Sequence, residues 1–380
     1  MRLIDAKHHK LLILTMGTLT RIAACHASPV FLSAKDTTAK AISLIQVAAS
    51  NEANLIVFPE SYIPAFPIWS ALRAPSENHD LFKRMAAESI YVDGDEVDSI
   101  RATAKQLGVL VSLGFSEKAR YSSATLWNSN IIIGTDGEIL VHHRKLMPTF
   151  YEKLTWAPGD GHGLRVADTK FGKVGTLICG ENTNPLALYT MTAQGEQIHI
   201  SSWPAIWPTR MPEGVLPTPS SEVTNGIGTN GKVLSSSVTR GVSYDNVAAN
   251  RTRAAAHCFE AKCFGVLCAG YLGADAIEAA TSGSNTPEII SQGLQRSSRG
   301  ATMFLDTTGT LLPGFTIDAE TSVKEQKDFL QESEGILYVD VNLDGCVEGK
   351  QYHDIAGGYQ RLDVFELKVD RRRRQPALFE

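Results

Sequence analysis

Val174-Gly175-Thr176-Leu177-Ile178-Cys179-Gly180-Glu181-Asn182-Thr183-Asn184-Pro185 carries the decisive reading of this 380-residue chain. Val174 to Ile178 form the short apolar run of a buried strand, and the polar residues after them form a turn. Gly180 lets another group approach the backbone closely, and Pro185 suits the first turn of a helix beginning about Leu186. Cys179 therefore stands at the end of a buried strand, where α/β folds build their sites.

The same alternation extends outward from this stretch. Upstream, helical spacing from Ser33 to Ala49 leads through Asn51 and Asn54 into the apolar run Leu55 to Phe58, and a helix through Ile100 to Leu107 leads into Val109 to Leu113. Downstream, Ile198 to Ser201 reads as another buried strand. Two segments look like hairpins instead: Asn130 to Ile133 with Glu138 to His142 across Thr135-Asp136-Gly137, and Met303 to Leu305 with Thr310 to Leu312 across Thr307-Thr308-Gly309. The pattern predicts an α/β protein with mixed sheets.

No long linker or solenoid repeat divides the chain. The expected organisation is an N-terminal extension over 1–20, one domain over 21–370 and a basic tail over 371–380, in which Arg371 to Arg374 read as solvated. The Pro-, Ser-, Thr- and Gly-rich stretch from Trp203 to Tyr244 reads as an irregular insertion. Within it Gly226-Ile227-Gly228-Thr229-Asn230-Gly231 spells a dinucleotide fingerprint. No buried strand precedes it and no convincing helix follows, so it reads as a loop.

Composition excludes several classes. With 43% hydrophobic and 20% charged residues the chain is globular, and its net charge of -5 offers no field for a nucleic-acid backbone. Lys7 and Lys10 before Leu11 to Leu14 imitate a signal peptide, but Gly17, Thr18, Thr20 and Arg21 interrupt the apolar run, and no membrane span is expected. A cytoplasmic protein is the resulting expectation. The six cysteines include Cys258, Cys263 and Cys268, whose spacing and apolar neighbours suit buried thiols better than metal ligands. Neither metal nor cofactor is implied.

Three reactive groups follow strands: Glu60 after Leu55 to Phe58, Lys145 after the hairpin strand ending near His142, and Cys179. Singly, each has a plain structural explanation in packing, capping or solvation. Together they have a chemical logic. A thiol becomes a nucleophile when a base takes its proton, and backbone N–H groups at a strand-to-helix turn lower its pKa.

Val57-Phe58-Pro59-Glu60-Ser61, His143-Arg144-Lys145-Leu146-Met147-Pro148-Thr149 and Leu177-Ile178-Cys179-Gly180-Glu181-Asn182-Thr183-Asn184-Pro185-Leu186 resemble, in order, three motifs of the nitrilase superfamily, in its nitrilase branch. The resemblance runs from about Arg21 to about Asp370. It implies a four-layer α-β-β-α sandwich with Glu60 as base, Lys145 as cationic partner, Cys179 as nucleophile and Glu152 as the family's second glutamate, orienting Lys145 and water. It also implies dimers paired through helices near the cysteine, extending into spiral filaments. Gly180 after the nucleophile is similar to the arylacetonitrilase group, where cyanide-degrading relatives carry tryptophan.

Gly180, Tyr62, Trp69 and Trp156 are the candidate substrate-binding residues, with Phe66 a further aromatic candidate. Leu188, Gly358 and His26 depart from the branch, standing where arginine, histidine and glutamine are common. The expected reaction is hydrolysis of an arylaliphatic nitrile to the acid, with amide as a possible by-product. The same triad also fits an amidase, a carbamoylase or a cyanide-converting enzyme, and the fold alone fits a non-catalytic assembly protein.

Overall fold

The computed structural model describes residues 19–210 and 245–377. In chain order the first half comprises β1 (Leu19–His26), α1 (Ala34–Ser50), β2 (Leu55–Val57), α2 (His79–Glu88), α3 (Asp95–Leu107), β3 (Leu110–Lys118), β4 (Leu126–Ile133), β5 (Ile139–Arg144), β6 (Ala167–Thr169), β7 (Gly172–Ile178), α4 (Pro185–Thr192) and β8 (Ile198–Trp203). The second half adds α5 (Asn246–Ala261), β9 (Phe264–Ala269), α6 (Ala274–Thr281), α7 (Pro287–Arg296), β10 (Thr302–Leu305), β11 (Leu311–Leu312), β12 (Gly314–Ile317), β13 (Lys324–Lys327), β14 (Phe329–Leu330) and β15 (Gly335–Asn342).

One sheet runs β13-β12-β15-β1-β2-β3-β4-β5, and the other β11-β10-β9-β8-β7-β6 with β14 also on β10. Parallel pairs (β1 with β2, β2 with β3, β7 with β8, β8 with β9) sit beside antiparallel ones, so both sheets are mixed. Both sequence-read hairpins form, as β4 with β5 and β10 with β11.

Successive strand side chains point to opposite faces, and that alternation sorts the apolar residues into layers. Ile22, Ala24, Leu55 and Val57 face inward onto Val174, Ile198, Ile200 and Val266 of the second sheet. Their neighbours Ala23, Cys25 and Ile56 face outward, against Ala41, Ile45 and Ala48 of α1 and Val97, Ile100 and Ala104 of α3. On the other outer face, Ala254, Cys258 and Ala261 of α5 cover Leu267 and Met303, while Ala187 and Met191 of α4 cover Leu177. The four layers are α-β-β-α. Ser33 caps α1 by accepting from the Asp36 N–H, and Asn184 caps α4 by accepting from the Leu186 and Ala187 N–H groups.

Details of the boundaries differ from the sequence reading. Leu19 and Thr20, assigned to the N-terminal extension, already belong to β1, where they pair with Asn342 and Val341. Trp203, taken as the start of the irregular insertion, ends β8. The Gly226 to Gly231 motif lies outside the described residues. The basic tail is solvated only in part: Arg373 donates to Asp160 Oδ1 at 3.1 Å and to the His142 carbonyl at 3.0 Å, because the chain folds back over Gly161.

The unusual residues have structural roles as well. His26 is fully buried and bonds Ala269 O, Thr302 Oγ1 and Gln331 O, which ties β1 to the opposite sheet. Leu188 packs on the Leu177 and Met191 cluster, whereas a side chain at Gly358 would meet open space. All six cysteines are buried and free. Among the described residues no helix is long and apolar enough to cross a membrane.

Candidate active site

Glu60, Lys145 and Cys179 follow the ends of β2, β5 and β7, and the packing of the two sheets brings them together. Lys145 Nζ donates to Glu60 Oε1 at 2.8 Å and to Glu152 Oε2 at 2.6 Å. Acceptor atoms of Glu60 and Glu152 and the Cys179 sulfur all lie within 4.8 Å of one another. The four side chains are buried, Cys179 being 5% exposed and the rest less, so water scarcely screens their charges.

Each group is held by local structure. Glu60 Oε1 also accepts from Asn128 Nδ2 at 2.7 Å, and Asn128 in turn receives the Lys145 N–H on its backbone carbonyl. Oε2 of Glu60 makes no hydrogen bond among the described residues and is left to take a proton. The turn carrying Glu60 crosses β3 at Gly114, where a Cβ would lie 2.2 Å from the Pro59 carbonyl oxygen. Glu152 accepts the Thr149 N–H on Oε2 and the Trp207 indole N–H on Oε1.

Cys179 occupies the left-handed region, with φ of 52°, which is unfavourable for a residue with a side chain. Glu181 clamps the turn beneath it. Its carboxylate accepts from the Ile178 and Leu146 N–H groups and from His143 Nε2, joining the Cys179 turn to the loop that carries Lys145.

Electrostatics gives these groups distinct states. Burial raises the Glu60 carboxyl to about 7, against the opposing pull of Lys145, while Glu152 adds to the rise. Burial would lower the Lys145 ammonium, but a Cys179 thiolate once formed, with the Glu152 and Glu60 carboxylates, more than offsets it and holds the ammonium well above its ordinary range. Burial and then Glu60 push the Cys179 thiol well up, outweighing Lys145 and the Gly180 backbone. The sequence reading expected the turn to lower that pKa. The Gly180 N–H in that turn does lower it, but burial and the Glu60 charge outweigh the effect and favour the protonated thiol. A carboxylate poised near neutrality beside a protonated thiol is an arrangement for general-base activation on demand.

A cavity of about 300 Å³ opens onto Cys179 and Gly180, walled by Thr149, Trp203, Trp207 and, from α5, Asn246 and Arg253. Gly180 lines this cavity. Tyr62, Trp69 and Trp156 do not line this cavity: Tyr62 packs in the α1 layer with its hydroxyl on Ser28 O, and Trp69 packs edge-on against Phe31. Trp156 meets Phe66 edge-on and donates to Ser116 Oγ. The aromatic walls are Trp203 and Trp207, which the sequence reading missed. Trp203 had a legible signal, since it ends the strand beside the one that precedes Cys179; Asn128 and Trp207 had none.

The buried acid–lysine–acid group beside a strained cysteine stands at the strand ends of two stacked mixed sheets, in an architecture of the nitrilase type. Residues 21–351 match the carbon-nitrogen hydrolase family, and the chain belongs to it. An arylacetonitrilase of Hypocrea virens is 31% identical over 353 residues, covering 92% of each chain. A cyanide hydratase of Gibberella zeae is 30% identical, covering 94% of this chain and 88% of its own. Among solved structures, a Saccharomyces cerevisiae member of branch 10 of the nitrilase superfamily superposes with a TM-score of 0.60 at 17% identity, over 92% of this chain and 97% of that one, and speaks for the fold alone.

Proposed function

We propose that this chain is a nitrilase acting on arylaliphatic nitriles, with Cys179 as nucleophile, Glu60 as base and Lys145 and Glu152 as the charged pair that positions and stabilises. The observation that carries the reading is the buried Glu60 carboxylate, one oxygen of which has no hydrogen-bond partner among the described residues, within 4.8 Å of the buried Cys179 sulfur and beside a cavity with two indole walls. Glu60 takes the Cys179 proton as sulfur attacks the nitrile carbon. The proton passes to nitrogen, whose developing charge is met by Lys145 and a backbone N–H near Gly180, and a thioimidate forms. Water activated by Glu60 adds to it, ammonia leaves to give a thioester, and a second water releases the acid. Expulsion of the thiol from the first tetrahedral adduct gives the amide.

The cyanide hydratases among the relatives favour a second reading, in which the nitrile is cyanide itself and the product an amide. Gly180 and the open cavity support the larger substrate. The pairing of copies through α4 is a further part of this proposal, supported by Leu186, which is 62% exposed on that helix.

The test is ammonia release from phenylacetonitrile, phenylacetamide and cyanide by the wild type and Cys179→Ala, with acid and amide separated. Turnover of phenylacetonitrile lost in the variant supports the nitrilase. Turnover of phenylacetamide alone makes it an amidase, and turnover of cyanide alone supports the second reading. A folded wild type inert to all three ends the proposal.

A further inference from the structure

The buried polar side chains behind the nucleophile have no part in the chemistry above. Asn182 Nδ2 donates to the carbonyls of Leu177, at 3.3 Å, and of Cys179 itself, at 3.0 Å. Two carbonyl acceptors on that side fix the amide's orientation, so its Oδ1 points the other way and must accept. It meets His199 Nε2 at 2.8 Å and Ser201 Oγ at 2.9 Å, both on β8, the strand parallel to that of the nucleophile. His199 Nδ1 lies 2.9 Å from Glu196 Oε1, and Glu196 Oε2 lies 2.7 Å from His257 Nε2 on α5. All five side chains are buried.

Glu196, His199 and His257 come close enough to share a metal ion. Their contacts, however, are direct carboxylate–imidazole hydrogen bonds, with protons where an ion would sit. Burial raises the Glu196 carboxyl, but the two imidazoles outweigh it and bring it down to about 2. Glu196 is a carboxylate locked between two rings. His199, with an acceptor on each nitrogen, makes both bonds as the imidazolium; burial and the His257 charge lower its pKa, while the Glu196 charge favours the charged ring.

We propose that Asn182 is a positioning residue: oriented by His199 and Ser201, it holds Cys179 in its left-handed conformation and its thiol within reach of Glu60, while Glu196 and His257 lock the His199 ring. The physical need is plain. A non-glycine residue at φ of 52° relaxes unless its surroundings hold it, and Asn182 binds the carbonyl of that very residue.

The inference rests on Cys179 being the nucleophile, so its test reads the thiol directly as well as turnover. The rate of Cys179 alkylation by iodoacetamide, followed by intact mass, is measured beside kcat and KM for Ser201→Ala, His199→Leu and His199→Gln. Ser201→Ala removes one of the two donors to Asn182 and lowers alkylation and kcat about threefold to tenfold, with KM unchanged, the range for a net hydrogen bond. His199→Leu lowers both further, and His199→Gln, whose amide reaches the same acceptor, recovers part of the loss.

Wild-type alkylation and kcat in Ser201→Ala and His199→Gln alike overturn the proposal. So does a His199→Gln as slow as His199→Leu, since packing alone would then explain the ring. If His199→Leu does not fold, Ser201→Ala and His199→Gln decide. A wild type that is alkylated but hydrolyses no nitrile sinks the nitrilase reading while leaving the alkylation series to judge Asn182.

Discussion

Lys145 donates to Glu152 at 2.6 Å with both side chains shut off from solvent, and without Glu152 the Lys145 ammonium keeps Glu60, whose carboxyl burial raises to about 7, as its remaining buried carboxyl partner. Removing one partner of a buried pair leaves an uncompensated charge and costs about 3 kcal/mol or more. Glu152→Ala should lower both the melting temperature and kcat. Glu152→Gln, which still accepts from the Thr149 N–H, should keep more of the stability than of the activity. Thermal unfolding and initial rates separate the two, and unchanged rates in both variants would remove Glu152 from the site.

The Glu60 carboxyl, raised to about 7 chiefly by burial, must be ionised to take the thiol proton. As pH rises through that value Glu60 loses its proton and becomes a base. kcat/KM for phenylacetonitrile should therefore climb with pH between about pH 6 and about pH 8 and then level. A profile flat across that interval would assign the base elsewhere.

A Cβ at position 180 would lie 2.9 Å from Thr149 Oγ1, so a large side chain there must turn into the cavity of about 300 Å³. Gly180→Trp should lower kcat/KM for phenylacetonitrile by about a hundredfold or more, an effect of about 2.7 kcal/mol in transition-state binding, and spare cyanide. Equal losses on both substrates would indicate a damaged nucleophile turn rather than a smaller pocket.

Gly114 lies under the turn that carries Glu60, and a methyl group there would meet the Pro59 carbonyl oxygen at 2.2 Å. Gly114→Ala should cost about 1–3 kcal/mol of stability through overpacking and shift Glu60 from the thiol. The expected signature in steady-state kinetics is a loss of kcat exceeding any rise in KM. Wild-type kcat in a folded variant would argue that the turn adjusts.

Period and spacing along the sequence determined the α/β class with mixed sheets, both hairpins and the three strand ends that carry Glu60, Lys145 and Cys179, because each is set by residues close in the chain, while the four-layer order came from the family resemblance. The α/β alternation around Val174 to Pro185 needed nothing more. Which aromatic residues wall the cavity was decided only by tertiary packing: Tyr62, Trp69 and Trp156 are near Glu60 and Lys145 in sequence but turn into cores, while Trp203 and Trp207 reach the cavity at Cys179. The rise of the Cys179 thiol pKa, the support of Glu60 by Asn128 and the line from His257 to Asn182 likewise depend on desolvation and on contacts between distant segments. Those quantities exist only once the two sheets have closed on each other.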